Sequence, residues 1–464
     1  MTTPAIPMNR RDILLGGSAS ASALALPGIG RAASEGRPPN FVIILCDDLG
    51  YGDVGVFGGR VIPTPNVDRM AHEGVMLTDY YAPANICTPS RAGLLTGRYP
   101  IRTGLGYEVI MAQDDRGLPL SEVTVATALK PRYASGLFGK WHLGHVAPFW
   151  PPTNHGFDKF FGIQYSHDMN PLAYYEDTAG QPEVGPTAVD FRQLQQQFYA
   201  HAEAFIEAHR DRPFFVELAL SAPHLPEHPH PPFEGRTKAG PFGDVVAEID
   251  SIVGRLMAKL RALDLERDTL VIFTSDNGPW FEGSAGGLRD RKGGAGYDGG
   301  YRVPFIVRQP GVIPAGKLTG AIACGIDILP TLCAMAGASL PAGVELDGKD
   351  ITAVLKGGAA SPHDEIVLFD NEDVVGIRTQ AWKYVGASYY RGLRLPFSQM
   401  NLAELYDATA DRDESYSVAA NHPEVAAAMN ARLSRAQGRF AALKHKDVPP
   451  VFKQLRERMG RLQD

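Results

Sequence analysis

Three stretches of this chain are apolar at nearly every position: Phe41-Val42-Ile43-Ile44-Leu45-Cys46, Phe214 to Leu220 and Leu270-Val271-Ile272-Phe273. Only Glu217 interrupts the second. A strand with one wet face alternates apolar and polar side chains, whereas an unbroken run must be covered on both faces, as in a parallel sheet packed between helices. Helical patterns between the runs, such as Val245 to Leu263, suit the crossovers. The expected fold class is therefore α/β: a sandwich around a large, mostly parallel sheet. With 464 residues, 44% hydrophobic and 21% charged, the chain has material for a sizeable core, and its 50 Gly and 36 Pro imply many long loops.

After Leu355 the texture changes. Gly357-Gly358-Ala359-Ala360-Ser361-Pro362 reads as a linker, followed by short strand candidates at Glu365–Phe369, Val374–Arg378 and Trp382–Val385 and then a helical C-terminus. That pattern predicts a small antiparallel sheet with helix. At the other end, Asn9-Arg10-Arg11-Asp12-Ile13-Leu14-Leu15 and the Gly-, Ser- and Ala-rich stretch to Ile29 form a twin-arginine leader, cut near Ala32-Ala33. The stretch is too short for a stable membrane anchor. The expected organisation is leader 1–33, main domain 34–360 and C-terminal α+β subdomain 361–464, exported to the periplasm or beyond by the twin-arginine machinery. A net charge of −7 leaves no footprint for nucleic acid or an anionic membrane. Cys46, Cys87, Cys324 and Cys333 are too few for a disulfide framework.

The first run ends in Asp47-Asp48-Leu49-Gly50 and the third in Thr274-Ser275-Asp276-Asn277-Gly278. Ligands of open α/β sheets gather outside the carboxyl ends of strands, so the two polar pairs could converge. Carboxylates and an amide oxygen without imidazole select a hard cation, calcium or magnesium, over zinc. Taken alone, Asn277-Gly278 is ordinary turn chemistry. A third feature is Cys87-Thr88-Pro89-Ser90-Arg91-Ala92-Gly93-Leu94-Leu95-Thr96-Gly97-Arg98. Pro89 suits a first helical turn and Gly97 a stop, which puts residue 87 over free N–H groups and the positive end of a helix.

This cysteine motif resembles the signature of type I sulfatases, and more distant stretches fit the same family, arylsulfatase A-like in kind. The resemblance implies an alkaline-phosphatase-like fold and oxidation of Cys87 to formylglycine by a maturation enzyme. One hydroxyl of the aldehyde hydrate attacks sulfur in that chemistry, and the other later expels sulfate. It further implies a divalent cation, calcium first and magnesium second, on Asp47, Asp48, Cys87, Asp276 and Asn277. Arg91 would fix the nucleophile and ion ligands, and Asp276 would act as base on the diol. Gly139-Lys140-Trp141-His142-Leu143-Gly144 resembles the second signature, with Lys140 on sulfate and His142 assisting collapse of the hydrate; Arg132 stands upstream where the family commonly has Gly. By the same resemblance His224, in Ser221-Ala222-Pro223-His224, contacts the bridging oxygen, Lys292 binds sulfate and protonates the leaving alcohol, and Ser166 hydrogen-bonds sulfate. Asp298-Gly299-Gly300-Tyr301-Arg302-Val303-Pro304 resembles a family stretch that begins with Glu, and Glu404-Leu405-Tyr406-Asp407 resembles a recurring turn of its C-terminal part.

The implied activity is hydrolysis of an aryl or carbohydrate sulfate ester. A phosphonate or phosphate monoester hydrolase is the rival within the fold, and a non-catalytic sulfated-glycan binder the rival outside enzymes. A zinc site on His224, His228 and His230 lacks ordered spacing. Ser166-His167-Asp168 does not make a hydrolytic triad, because adjacent residues do not face one another as a triad requires. Arg289 and Arg291 read as solvated loop charges. The alcohol half of the substrate would be met by loops such as Met169 to Pro186 and Tyr389 to Gln399.

Overall fold

The first apolar run becomes strand β1 (Asn40–Asp47), buried along its whole length in a computed structural model that describes residues 37–390 and 393–445. The leader proposed at 1–33 lies outside the described residues. In chain order the other strands of the large sheet are β2 (Val75–Leu77), β3 (Ala134–Lys140), β4 (Lys159–Ile163), β5 (Tyr174–Thr178), β6 (Val184–Thr187), β7 (Phe214–Pro223), β8 (Thr269–Ser275), β9 (Phe305–Arg308) and β10 (Lys317–Thr319). Their spatial order is β10-β2-β9-β8-β1-β7-β3-β4-β5-β6. The five central strands β8-β1-β7-β3-β4 are mutually parallel. Antiparallel pairings flank them, β8 with β9 and β9 with β2 on one side, β4 with β5 and β5 with β6 on the other. The apolar runs are the middle of the sheet; the shorter outer strands carry weaker patterns.

Side-chain alternation along β1 divides the core. Val42, Ile44 and Cys46 face a layer containing α1 (Pro65–His72), α3 (Leu194–Ala208) and α4 (Gly240–Ala262), while Phe41, Ile43 and Leu45 face α2 (Cys87–Thr96) and α5 (Ile328–Ala336). Fully burying such side chains contributes about 1.5–3 kcal/mol each before chain entropy is counted. Helix α2 is buried at every position and stops at Gly97, whose φ of 69° is left-handed. Gly139 is likewise demanded, by a φ of 133° and because a Cβ there would run into the carbonyl of Ala219 on β7.

Beyond the linker, β11 (Ile366–Asp370), β12 (Asp373–Arg378), β13 (Trp382–Val385) and β14 (Glu404–Asp407) pair antiparallel in that order, and α6 (Pro423–Phe440) packs on them through Met429, Leu433 and Phe440. Glu404–Asp407, expected as a turn, is a strand because Leu405 and Tyr406 pair with Tyr384 and Lys383. The turn follows it, where the Asp407 carboxylate accepts from the Thr409 and Ala410 N–H groups. Among the described residues no helix is long and apolar enough to cross a membrane.

Candidate active site

The five parallel strands deliver their carboxyl ends to one place. β8 leads into Asp276 and Asn277, β1 into Asp47 and Asp48, β7 into His224, β3 into Lys140 and then His142, and β4 is followed by Ser166. The N-terminus of α2 points Cys87 into the same region, with Arg91 one turn behind it. Lys292 arrives on the glycine-rich loop after β8, where its N–H bonds the Pro279 carbonyl at 3.0 Å. Every site residue expected from the sequence is therefore brought together.

Contacts tie them into one network. Single ligand atoms of Asp47, Asp48, Asp276 and Cys87 lie within 4.8 Å of one another. The Cys87 thiol donates to Asp47 Oδ1 at 3.4 Å, Lys140 Nζ to Asp47 Oδ2 at 2.6 Å and Lys292 Nζ to Asp48 Oδ2 at 2.8 Å. Arg91 Nε donates to Asp276 Oδ2 at 2.8 Å and its Nη1 to the Lys140 carbonyl at 2.9 Å, while Nη2 stands 3.8 Å from Asp47. Asn277 Nδ2 donates to Asp48 Oδ1 at 2.7 Å, leaving Asn277 Oδ1 buried without a partner. Asp48 adopts a left-handed φ of 66°, a strained conformation held at the strand end.

Above this floor lies a cavity of about 400 Å³, lined at one end by Cys87, His142, Ser166, His224 and Lys292 and elsewhere by Ile86, residues of the 108–113 loop, and Asp168, Met169 and Asn170. Ser166 Oγ is buried with no partner. His142 donates from Nε2 to the Ile110 carbonyl at 3.0 Å, so its unpartnered Nδ1 carries a lone pair. His224 donates from Nδ1 to the Leu225 carbonyl at 2.5 Å, and its Nε2 lies 3.6 Å from Asp48.

Burial and neighbouring charge set the protonation states. Burial, then Lys140 and Arg91, hold His142 well below the usual imidazole range, so it is neutral. Burial alone would raise the Asp47 carboxyl, but Lys140, His224, Arg91 and Lys292 together hold it well below its ordinary value. Asp276 is pushed up to about 6 by burial and by Asp47. Burial raises the Cys87 thiol well above its ordinary value despite Lys140 and Lys292. The helix end therefore does not yield a thiolate, and an unmodified Cys87 is a weak nucleophile.

The sequence reading missed several supports. Thr88 Oγ1 donates to the His142 carbonyl at 2.9 Å and accepts from Ile110 N–H at 3.0 Å, and Ser90 Oγ donates to the Asp276 carbonyl. Both lie inside the quoted cysteine motif. Arg289 and Arg291, expected as solvated charges, instead hold backbone. Arg291 Nη1 donates to the carbonyls of Trp280 at 2.8 Å and Gly283 at 2.6 Å, and Arg289 Nη1 donates to Tyr406 Oη at 2.6 Å and the Glu414 carbonyl at 3.1 Å. His228 and His230 stand apart from the acidic cluster, His230 N–H bonding Glu248 at 2.9 Å.

The family model described as Sulfatase matches residues 39–338, the whole of the large sheet and its helices. The chain belongs to the sulfatase family. A second model, N-sulphoglucosamine sulphohydrolase, C-terminal, matches residues 294–439 of this sulfatase, including the small sheet and α6. Human arylsulfatase A is 40% identical over 381 residues, 75% of this chain and 74% of that protein. Mouse steryl-sulfatase is 33% identical over 443 residues, 76% and 71% of the two chains, and dog N-acetylgalactosamine-6-sulfatase 35% over 368 residues, 72% and 69%. Among solved structures, PsFucS1 sulfatase from Pseudoalteromonas sp. superposes with a TM-score of 0.81 at 27% identity, covering 90% of this chain and 93% of that one. Ps i-CgsB, solved in complex with k-i-k-neocarrahexaose, has a TM-score of 0.73 at 26% identity, covering 86% and 92%. The sulfatase is thus an arylsulfatase A-like enzyme that hydrolyses sulfuric esters.

Proposed function

We propose that this sulfatase cleaves aryl or carbohydrate sulfate esters with residue 87 as formylglycine and a calcium ion held by Asp47, Asp48, Asp276, Asn277 and residue 87. The observation that carries the reading is the buried convergence of three carboxylates and Cys87 within 4.8 Å, next to the orphaned Asn277 Oδ1. Carboxylates so close in a water-poor place call for a cation, and an oxygen-rich donor set fits a hard one. The ion supplies Lewis-acid polarisation of a sulfate oxygen, and formylglycine supplies an aldehyde hydrate as nucleophile.

The rest of the chemistry falls to the chain's own groups. Lys140 and Lys292 now neutralise Asp47 and Asp48; with a divalent cation held among those carboxylates, both ammonium groups would be free to face an anionic ester. Arg91, Lys140 and Lys292 match the three carboxylates in charge, so the loaded site is net positive, as transfer of a sulfuryl group requires. Ser166 donates to a sulfate oxygen, and His224, its Nδ1–H fixed on Leu225, donates to the bridging oxygen when Nε2, beside Asp48, also carries a proton. Lys292 protonates the departing alcohol. His142 Nδ1 would accept the proton of the hydroxyl left on a modified residue 87, Asp276 would serve as base on the attacking one, and Arg91 would keep the ligands in place. Cys87 is only 1% exposed, so the maturation enzyme must reach it before the fold closes over it. Export by the twin-arginine route, which accepts folded cargo, suits that order of events; replacing Arg10 and Arg11 with Lys should strand folded enzyme in the cytoplasm.

Asp47→Ala or Asp276→Ala should abolish turnover and calcium binding together, read by 4-nitrophenyl sulfate hydrolysis and calorimetry. Full activity in metal-free enzyme would overturn the metal assignment. Faster turnover of an aryl phosphonate than of the aryl sulfate would favour the phosphonate hydrolase.

A further inference from the structure

His167 follows Ser166 in the loop after β4 and is absent from the assigned chemistry, yet its surroundings are unusual. The imidazole is 5% exposed and sits behind the cavity wall, which Ser166, Asp168 and Met169 line and His167 does not. Its Nε2 lies 3.0 Å from the Pro226 carbonyl. A carbonyl only accepts, so Nε2 carries the proton and Nδ1 keeps a lone pair, buried without a partner. Burial and the neighbouring His224 push the ring down to about 4, so it stays neutral. The ring meets that of His224 edge to face, centroids 5.6 Å apart at 75°, and lies 6.4 Å from that of His228.

A buried imidazole with an unsatisfied nitrogen is less favourable there than a phenylalanine in the same space. The polar group is therefore used, and its single hydrogen bond shows where. Pro226 is two residues beyond His224, and the Leu225 carbonyl between them fixes the His224 tautomer. We propose that His167 is a positioning residue for His224, clamping the Leu225–Pro226 segment and buttressing the imidazole so that Nε2 stays aimed at the ester's bridging oxygen. The proposal rests on the role given to His224 above. The loop that carries Ser166 against sulfate thereby also sets the group that meets the leaving oxygen, which links sulfate binding to leaving-group assistance.

The test is leaving-group dependence. 4-Nitrophenolate departs with little help, whereas an alkoxide needs its charge met in the transition state. In matured, metal-loaded enzyme, His167→Phe keeps a ring and loses the donor. It should lower kcat for a simple alkyl sulfate about 10- to 100-fold while changing kcat for 4-nitrophenyl sulfate, and both KM values, by less than about threefold. His167→Asn, which retains a donor, should recover most of the loss. Equal losses on both substrates, or none, would overturn the proposal; should the Phe variant fail to fold, the Asn variant against wild type decides on the same ratio. His224→Ala separates the two levels. If it shows no leaving-group dependence, the role of His224 is wrong, and if it does while His167→Phe does not, only the present proposal falls.

Discussion

Two buried clusters in this sulfatase each set three carboxylates against three cations, and one of them forms the floor of the cavity that Cys87 and Lys292 line. At the sheet's carboxyl edge are Asp47, Asp48 and Asp276 with Arg91, Lys140 and Lys292. Where the small sheet meets the large one are Asp79, Asp298 and Glu414 with Arg302, Arg378 and Lys383. In the second, carboxylates and cations interleave. Arg302 Nη2 lies 3.2 Å and Arg378 Nη2 2.8 Å from Asp79, Lys383 bridges Asp298 and Glu414, and Tyr81 Oη donates to Asp298 at 3.0 Å. In the first, carboxylates crowd one another, and the buried Asn277 Oδ1, His142 Nδ1, Ser166 Oγ and Arg91 Nη2 lack hydrogen-bond partners. Charge count does not distinguish a catalytic centre from a structural bolt. Which charges touch, and how many polar atoms are left unsatisfied, does: among the described residues the second cluster leaves Glu414 Oε1 alone without a hydrogen bond, 2.7 Å from the Lys383 ammonium.

The largest expected contrast is in activity. Asp47→Ala or Asp276→Ala should lower kcat by about 10⁴-fold or more with the fold retained. Lys383→Met strands Glu414 and leaves Asp298 to Arg302 and Tyr81, and should cost about 3–5 kcal/mol of stability while leaving kcat per folded molecule unchanged. Denaturant unfolding beside single-turnover assays reads both; loss of kcat at unchanged stability in Lys383→Met would make the second cluster catalytic.

Amide substitutions probe the same difference through stability alone. The fold raises Asp276, through burial and Asp47, so its charge is a burden in metal-free protein; Asp298 is held below its ordinary value, since Lys383, Arg302 and Arg378 outweigh its burial. Metal-free Asp276→Asn should therefore melt at or above the wild-type temperature, and Asp298→Asn below it. A matching drop in both would erase the distinction.

These contrasts also mark what could be read from the sequence. The apolar runs identify β1, β7 and β8 because strands buried on both faces leave no polar alternation, and the acidic pairs after β1 and β8 follow from where such sheets bind ligands. Roles for Cys87, Lys140, His142, His224 and Lys292 came from resemblance, not spacing. The outer strands beyond β8 were not visible, since β2, β9 and β10 are only three or four residues long. Arg289 and Arg291 looked solvated because their partners, the Tyr406 hydroxyl and the carbonyls of Glu414, Trp280 and Gly283, are set by folding and leave no charge pattern in the sequence, and Asp298 and Arg302 belong to a motif whose meaning appears only when Lys383 arrives on β13 and Glu414 on the loop after β14. Glu217, the lone acid in an apolar run, remains buried and pushed up to about 7, with Arg91 as its nearest charge influence.

A smaller effect concerns pH. Burial, with Asp298 adding to it against Lys383, pushes Glu414 up to about 7. A raised carboxyl contributes stability that is complete below its unfolded value of about 4.3 and falls as pH rises through its folded one, because the folded state keeps a proton the unfolded state has released. Unfolding midpoints should thus decline between about pH 4.5 and 7, and Glu414→Gln should flatten that decline. The smallest effect serves as a reference: Arg192 and Glu234 pair with both side chains about half exposed, and Arg192→Ala should shift stability by no more than about 0.5 kcal/mol.

The most direct measurement is the chemical state of residue 87 in active protein. Peptide mass analysis and hydrazine labelling should find an aldehyde there in proportion to active sites, with Cys87→Ala inactive but folded and Cys87→Ser accumulating a sulfated enzyme, since a serine ester lacks the second hydroxyl that releases sulfate. A free thiol at position 87 in protein that hydrolyses sulfate esters at full rate would contradict the account.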